Sequence, residues 1–229
     1  MKGFNRWRKA QIAERRDQLS RKFVSQREDY WRQFFKRNFM IDLEFFRGKV
    51  LEVGCGSTGV IHFIDKKRCF KVGIDPLISS LRSKMNFSDA YLIVGIGEKL
   101  PFKDNSFNIV LCINVLDHCL NPQEVLKEIR RVLKEDGLLI FQVNTFQFEI
   151  FPSRIAHALR ILLSLIDLPH PYHFSHHEIV SLLRTCGFKI IKERRKIPSL
   201  KKFKDLIAFL ILQFRLSCII AKADSGVDD

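Results

Sequence analysis

The stretch Val50-Leu-Glu-Val-Gly-Cys-Gly-Ser-Thr-Gly59 decides how the rest of the chain reads. It opens as a short apolar run of strand type and passes into a turn with glycines at 54, 56 and 59. Gly54 and Gly56 let the backbone turn tightly and approach a ligand more closely than a Cβ would permit. The three glycines satisfy the G-x-G-x-x-G spacing of a dinucleotide-binding loop, a weak signal until its context is established.

Downstream, Lys49–Val53, Phe70–Ile74, Ala90–Val94, Asn108–Ile113 and Leu138–Val143 read as strands. Residues 57–65, 77–84 and 121–134 read as the helices between them, the last with Asn121 as N-cap, Pro122 at the first helical position and Glu124 in the first turn. Strands alternating with helices predict βαβ units, right-handed crossovers and a parallel sheet covered on both faces. Residues 145–229 change character. Helices are expected over 152–166, 175–186 (ending at Gly187) and 200–213, and strands over Phe188–Arg194 and Ser217–Ala221. Upstream, residues 1–46 form a basic, aromatic arm in which Leu19, Phe23, Tyr30 or Trp31, and Phe34 recur at helical spacing.

The chain has 229 residues, 46% of them hydrophobic and 28% charged, which excludes a disordered chain and a polytopic membrane protein. Its net charge of +14 favours anionic partners without choosing among them. Residues 1–37 carry twelve basic against four acidic side chains, or +8 of that total. Docking on an anionic membrane surface is one expectation for this arm; a solvated helical lid over the cofactor, or nucleic acid, is another. Six scattered cysteines without a C-x-x-C pair indicate free thiols in a reducing cytoplasm, with no structural metal expected. The apolar run Leu206–Ile220 is interrupted by Gln213 and Arg215 and is shorter than the roughly 20 residues of a spanning helix.

Asp75 ends the second strand, where a carboxylate can accept from both hydroxyls of a ribose, so loop and acid together indicate an adenosine-containing cofactor. Glu52 separates the candidates, because a carboxylate there would repel a pyrophosphate but welcome an ammonium group. Glu52-Val-Gly-Cys-Gly56 resembles the first motif of class I S-adenosylmethionine-dependent methyltransferases, of the methyltransferase type 11 kind. Leu100–Val110, Val115-Leu-Asp-His118 and Glu128–Gly137 resemble its later blocks in order, and His173-Phe-Ser175 with Cys186-Gly-Phe188 is similar to its C-terminal portion. The resemblance implies an α/β, Rossmann-like, doubly wound seven-stranded sheet with an antiparallel last strand. This domain would span 47–229 behind the helical arm, with S-adenosyl-L-methionine as cofactor. It also implies that Glu52, Gly54 and Gly56 hold the methionine portion, Asp75 the ribose, and Ile96 and Gly97 the adenine, with Cys55 and Asn114 also among the cofactor-binding residues. Ile96 departs from the family, which often has an acid there; Glu98 is an alternative partner for the adenine or a solvated residue of a first helical turn.

Ligands of open α/β sheets bind at the carboxyl ends of the strands. Asn114, Asp117 and His118 follow the fourth strand and Asn144 the fifth. His118 has the intrinsic pKa of a general base, and equally the position of a packing residue before a helix cap. Tyr172 and His173 are candidates for the wall of an acceptor pocket, on a loop that also holds His170. No metal is expected at His170, His173, His176 and His177, because His176 and His177 are adjacent and point apart. Three functions stay open: methyl transfer to a small-molecule or lipid-linked acceptor, methylation of nucleic acid (RNA), and non-catalytic binding of S-adenosylmethionine. An Asn-Pro-Pro-aromatic signature of nucleic-acid enzymes is missing after the fourth strand, where Asn114-Val-Leu-Asp117 stands. A cytoplasmic protein, peripherally bound to a membrane in the lipid reading, completes the expectation.

Overall fold

In the computed structural model, residues 2–20, 27–85, 88–147, 151–166, 170–196 and 215–224 are described. Seven strands run β1 (Gly48–Val53), β2 (Cys69–Asp75), β3 (Tyr91–Val94), β4 (Phe107–Ile113), β5 (Leu133–Thr145), β6 (Phe188–Lys196) and β7 (Arg215–Ala223). They lie side by side in the order β3-β2-β1-β4-β5-β7-β6. Pairing is parallel from β3 through β5, whereas β7 is antiparallel to both β5 and β6. The order reverses between β1 and β4, which opens a crevice at the carboxyl ends of those strands.

Alternation along the central strands builds two cores. Leu51, Val53, Val110, Cys112 and Phe141 face one side, where α4 (Pro122–Val132) and α6 (His176–Thr185) pack. Val50, Ile109, Leu111, Ile113 and Ile140 face the other. Because both faces are covered, these strands are apolar at nearly every position. The helix starts follow their sequence signals. Asn121 Oδ1 accepts from the Glu124 amide with Pro122 behind it, and Ser175 and Glu178 close a reciprocal capping box.

Helix formation after the glycine loop is the principal correction. Residues 57–65 form only a single 3-10 turn at Val60–His62. Thr58, Gly59, Val60 and Ile61 are poor helix formers, and Glu52 takes the amides that a helical turn would leave open. The expected helix over 77–84 is likewise split into α3 (Ile78–Leu81) and a 3-10 turn at Arg82–Lys84. The helix expected over 121–134 ends at Val132, and β5 begins at once. The stretch expected at 152–166 is α5 (Ser153–Ile166); the helix expected over 200–213 lies outside the described residues. Among the described residues, no helix is long and apolar enough to cross a membrane.

The arm forms two helices, α1 (Lys2–Ser20) and α2 (Arg27–Asn38). The inward stripe of α2 is Trp31 and Phe35, continued by Phe39 at the same four-residue spacing. Tyr30 is 51% exposed, so of the two aromatics expected at that position Trp31 is the buried one. Phe35 stacks on Phe39 at 5.4 Å and meets Phe46 edge-on at 5.3 Å. Trp31 Nε1 donates to the Thr58 carbonyl at 3.0 Å, tying α2 to the glycine loop. Phe35→Ala should therefore lower the unfolding free energy in denaturant by about 3–5 kcal/mol, the cost of a large buried cavity. Tyr30→Ala should stay within about 1 kcal/mol of the parent chain.

Candidate active site

The crevice is assembled from loops that leave β1, β2, β3 and β4 on one edge of the sheet. Gly54 continues β1 with φ 71, and a Cβ there would collide with the Val115 methyls. Its amide donates to the Ile74 carbonyl at 2.8 Å, drawing the loop over the end of β2. Gly56, with φ 47, donates to Asp75 Oδ2 at 3.0 Å, and Leu77 donates to Asp75 Oδ1 at 2.7 Å. Burial raises the Asp75 carboxyl above the usual carboxylate range, and the two amides act against that rise.

Glu52 lies deeper. It is 2% exposed and accepts from the Val60 amide at 3.2 Å and the Ile61 amide at 2.8 Å. Burial pushes its carboxyl up to about 8, even though both amides favour the charged form; the nearby Asp75 charge adds to the rise. Among the described residues, Glu52, Cys55 and Gly56 do not line the crevice. They lie behind its wall.

Seven of the residues singled out in the sequence do line it: Gly54, Asp75, Ile96, Gly97, Glu98, Asn114 and His118. The cavity between them, with α1 lying across it, is about 80 Å³. Asn114 sits in the left-handed region at φ 55, which asparagine tolerates better than bulkier residues, and this turns the chain sharply off β4. Asn144 meets it through Nδ2, which donates to Asn114 Oδ1 at 2.9 Å. His118 closes the 3-10 turn Leu116–His118. Glu98 lines the crevice as well, and its Oε1 accepts from the Leu120 and Asn121 amides at 2.7 and 3.1 Å, bracing the start of α4.

Tyr172 and His173 stand apart, in a neighbouring cavity of about 400 Å³ shared with Arg160, Phe174 and Glu178. The Tyr172 hydroxyl donates to the Leu120 carbonyl at 2.8 Å and its amide to the Asp117 carbonyl at 3.3 Å, so this loop is fastened to the segment that carries His118.

The fourth wall of the crevice is α1, which contributes Trp7, Gln11, Glu14 and Gln18. Gln18 is 8% exposed, and its Oε1 accepts from the Ser57 amide at 2.9 Å. A Cβ on Gly56 would stand 2.6 Å from that same oxygen. The spacing 7, 11, 14, 18 is a helical face, but a search for apolar periodicity passes over it because three of the four residues are polar.

This glycine loop, its buried acid and this strand order coincide with a known family. The family model for the methyltransferase domain matches residues 51–141. The uncharacterized protein MJ1123 of Methanocaldococcus jannaschii is 30% identical over 152 residues, covering 66% of this chain and 69% of its own length. The chain belongs to the methyltransferase-domain family. Bacillus subtilis YrhH, provisionally named a methyltransferase, shares 29% identity with this methyltransferase domain over 52% of the chain and 76% of its own length. A Listeria monocytogenes structure, provisionally described as an S-adenosylmethionine-dependent methyltransferase, superposes with a TM-score of 0.59 at 17% identity, over 84% of this chain and 96% of that one. This last likeness speaks for the fold. Two further M. jannaschii relatives are matched over only 36% and 40% of their length.

Buried Glu52 makes the stability of this methyltransferase domain depend on pH. With a folded pKa of about 8 against an ordinary 4.5, the folded chain binds the extra proton between those values. Its stabilising contribution is complete below the lower value and is lost as pH rises through the upper one. Across that window the unfolding free energy of the parent chain should fall relative to that of Glu52→Gln, by up to about 1.4 kcal/mol per pH unit. Denaturant titrations of both chains from pH 5 to pH 8 measure the difference.

Proposed function

We propose that this chain binds S-adenosylmethionine in the crevice and transfers its methyl group to a small-molecule or lipid-linked acceptor. The observation that carries the reading is the pairing of a Cβ-free loop with a buried acid at the adjacent strand end, Gly54 and Gly56 beside Asp75. Each Asp75 oxygen takes one amide hydrogen bond and keeps lone-pair capacity for a ribose hydroxyl. Gly54 presents bare backbone to the methionine portion. Glu52, Cys55 and Gly56 support that loop from behind, Glu52 by holding the Val60 and Ile61 amides. Ile96 and Gly97 flank the adenine by packing, and Asn114 marks the end where the methyl group would lie.

The cofactor supplies an electrophilic methyl on a sulfonium. The protein's part is to hold an acceptor in line with it. His118 lines the same crevice, and its imidazole is suited to receive a proton from a hydroxyl or thiol. Asn144, Tyr172 and His173 lie on the acceptor side, where the second cavity supports a compact substrate. Exposed Ile155, Ile161 and Leu162 on α5 support an acceptor with an apolar tail. The outward residues Arg8, Lys9, Arg15 and Arg16 of α1, with exposed Phe4 and Ile12 among them, support docking on an anionic membrane surface.

Calorimetry should show S-adenosylmethionine or its demethylated product binding to the chain, and Asp75→Ala should weaken that binding by about 1.5–3 kcal/mol. Equal affinity for NAD would overturn the assignment. Vesicles containing anionic lipid should retain the chain at low salt and release it as salt rises.

A further inference from the structure

The turn after β4 does more than deliver His118 to the crevice. Asp117 precedes it, with a side chain only 4% exposed. Among the described residues, Asp117 Oδ1 has no hydrogen-bond partner. A buried carboxylate oxygen left without a donor is costly and calls for an explanation. His118 Nε2 is 3.9 Å from that oxygen, beyond hydrogen-bond reach. The loop after α5 brings in His170, whose ring centre is 4.4 Å from that of His118. One donor atom each from Asp117, His118 and His170 lies within 4.8 Å of the other two. Donors bound at about 2.1 Å around a tetrahedral ion stand roughly 3.4 Å apart, so modest side-chain rotation closes this triangle onto a single ion.

We propose that Asp117, His118 and His170 form a binding site for a divalent transition metal, zinc foremost. Two imidazoles and one carboxylate are the donor set of zinc and its neighbours, whereas calcium and magnesium prefer oxygen alone. The ion supplies the positive charge that Asp117 Oδ1 lacks. The backbone at each ligand is held from outside: the Tyr172 amide donates to the Asp117 carbonyl at 3.3 Å, Gln11 to the His118 carbonyl at 3.4 Å, and Arg6 to the His170 carbonyl at 3.5 Å. Three protein ligands leave a fourth position open, and His118 places it at the crevice. Resting on the methyl-transfer reading, a hydroxyl or thiol acceptor entering that position gives up its proton to solvent more readily, as ligands on zinc do. Its lone pair then takes the methyl from the sulfonium, whose bonding pair stays on sulfur to leave a neutral thioether. His118, with its lone pair on the metal, is then a ligand and no longer a base.

Metal binding itself does not depend on the cofactor, and the two are measured separately. The full chain is stripped with chelator, loaded with zinc chloride or cobalt chloride, desalted and analysed by elemental emission and, for cobalt, by visible absorption. The expected result is about one ion per chain, with affinity weakened roughly tenfold or more in both His170→Ala and Asp117→Asn. Circular dichroism checks that each variant is folded; His170 lies on a half-exposed loop, so its variant keeps the test alive if Asp117→Asn does not fold. No retained metal in the parent chain, or metal held equally well by folded His170→Ala, overturns the site. S-adenosylmethionine binding by the same samples should survive His170→Ala; its absence from the parent chain would overturn the methyl-transfer reading and leave the metal result standing.

Discussion

Two carboxylates, Glu52 and Asp75, are buried at the ends of neighbouring strands, and each must find donors within a few ångströms. They find them in backbone amides: Val60 and Ile61 for the first, Gly56 and Leu77 for the second. Satisfying both acids fixes the path of the chain from β1 across to β2, because amides are available only where the loop bends back on itself. The same demand explains why a helix does not follow the glycine loop directly. The shape of the crevice is thus largely a consequence of where two acidic side chains were placed out of water.

The arm is joined to this edge at two points of different character. Trp31 reaches Thr58 from one side of the loop and Gln18 reaches Ser57 from the other. The contact of α2 is an aromatic cluster, with Phe35 and Phe39 stacked inside the core, and its strength comes from area removed from water. The contact of α1 buries Ala10 but is otherwise mostly polar and includes a few hydrogen bonds, Gln11 to His118 and Lys84 to the Leu19 carbonyl among them. Individual hydrogen bonds of that kind contribute about 1 kcal/mol each, so α1 is the wall held by the weaker forces.

The sheet was legible because burial on both faces of its central strands leaves a long apolar signature; all seven strands overlap the stretches expected, but β5 starts at Leu133, ahead of the expected Leu138, and β6 and β7 run past their expected ends. Gly54, Asp75, Ile96, Gly97, Asn114 and His118 were legible as one group because spacing along βαβ units translates directly into proximity at a strand edge. Other features turn on contacts between residues far apart in the chain, which no local pattern carries. The reach of Gln18 to Ser57 spans 39 residues, and His170 meets His118 where the Tyr172 amide is bonded to the Asp117 carbonyl. The direction in which Glu52 points was equally invisible. Strand alternation gives its face of the sheet, but the amides of the following turn determine that its carboxyl group is spent on the loop.

All six cysteines are free and buried, and burial raises each of their thiols above the ordinary range. A protonated, enclosed thiol is inert toward alkylating reagents until the chain around it opens. The cysteines are also well distributed: Cys55 in the glycine loop, Cys112 and Cys218 in central strands, Cys186 at the end of α6. The molecule therefore carries its own set of opening reporters. The order in which these thiols become modifiable would rank the free energies of local unfolding across the fold, from frayed helix end to sheet interior, with no label introduced.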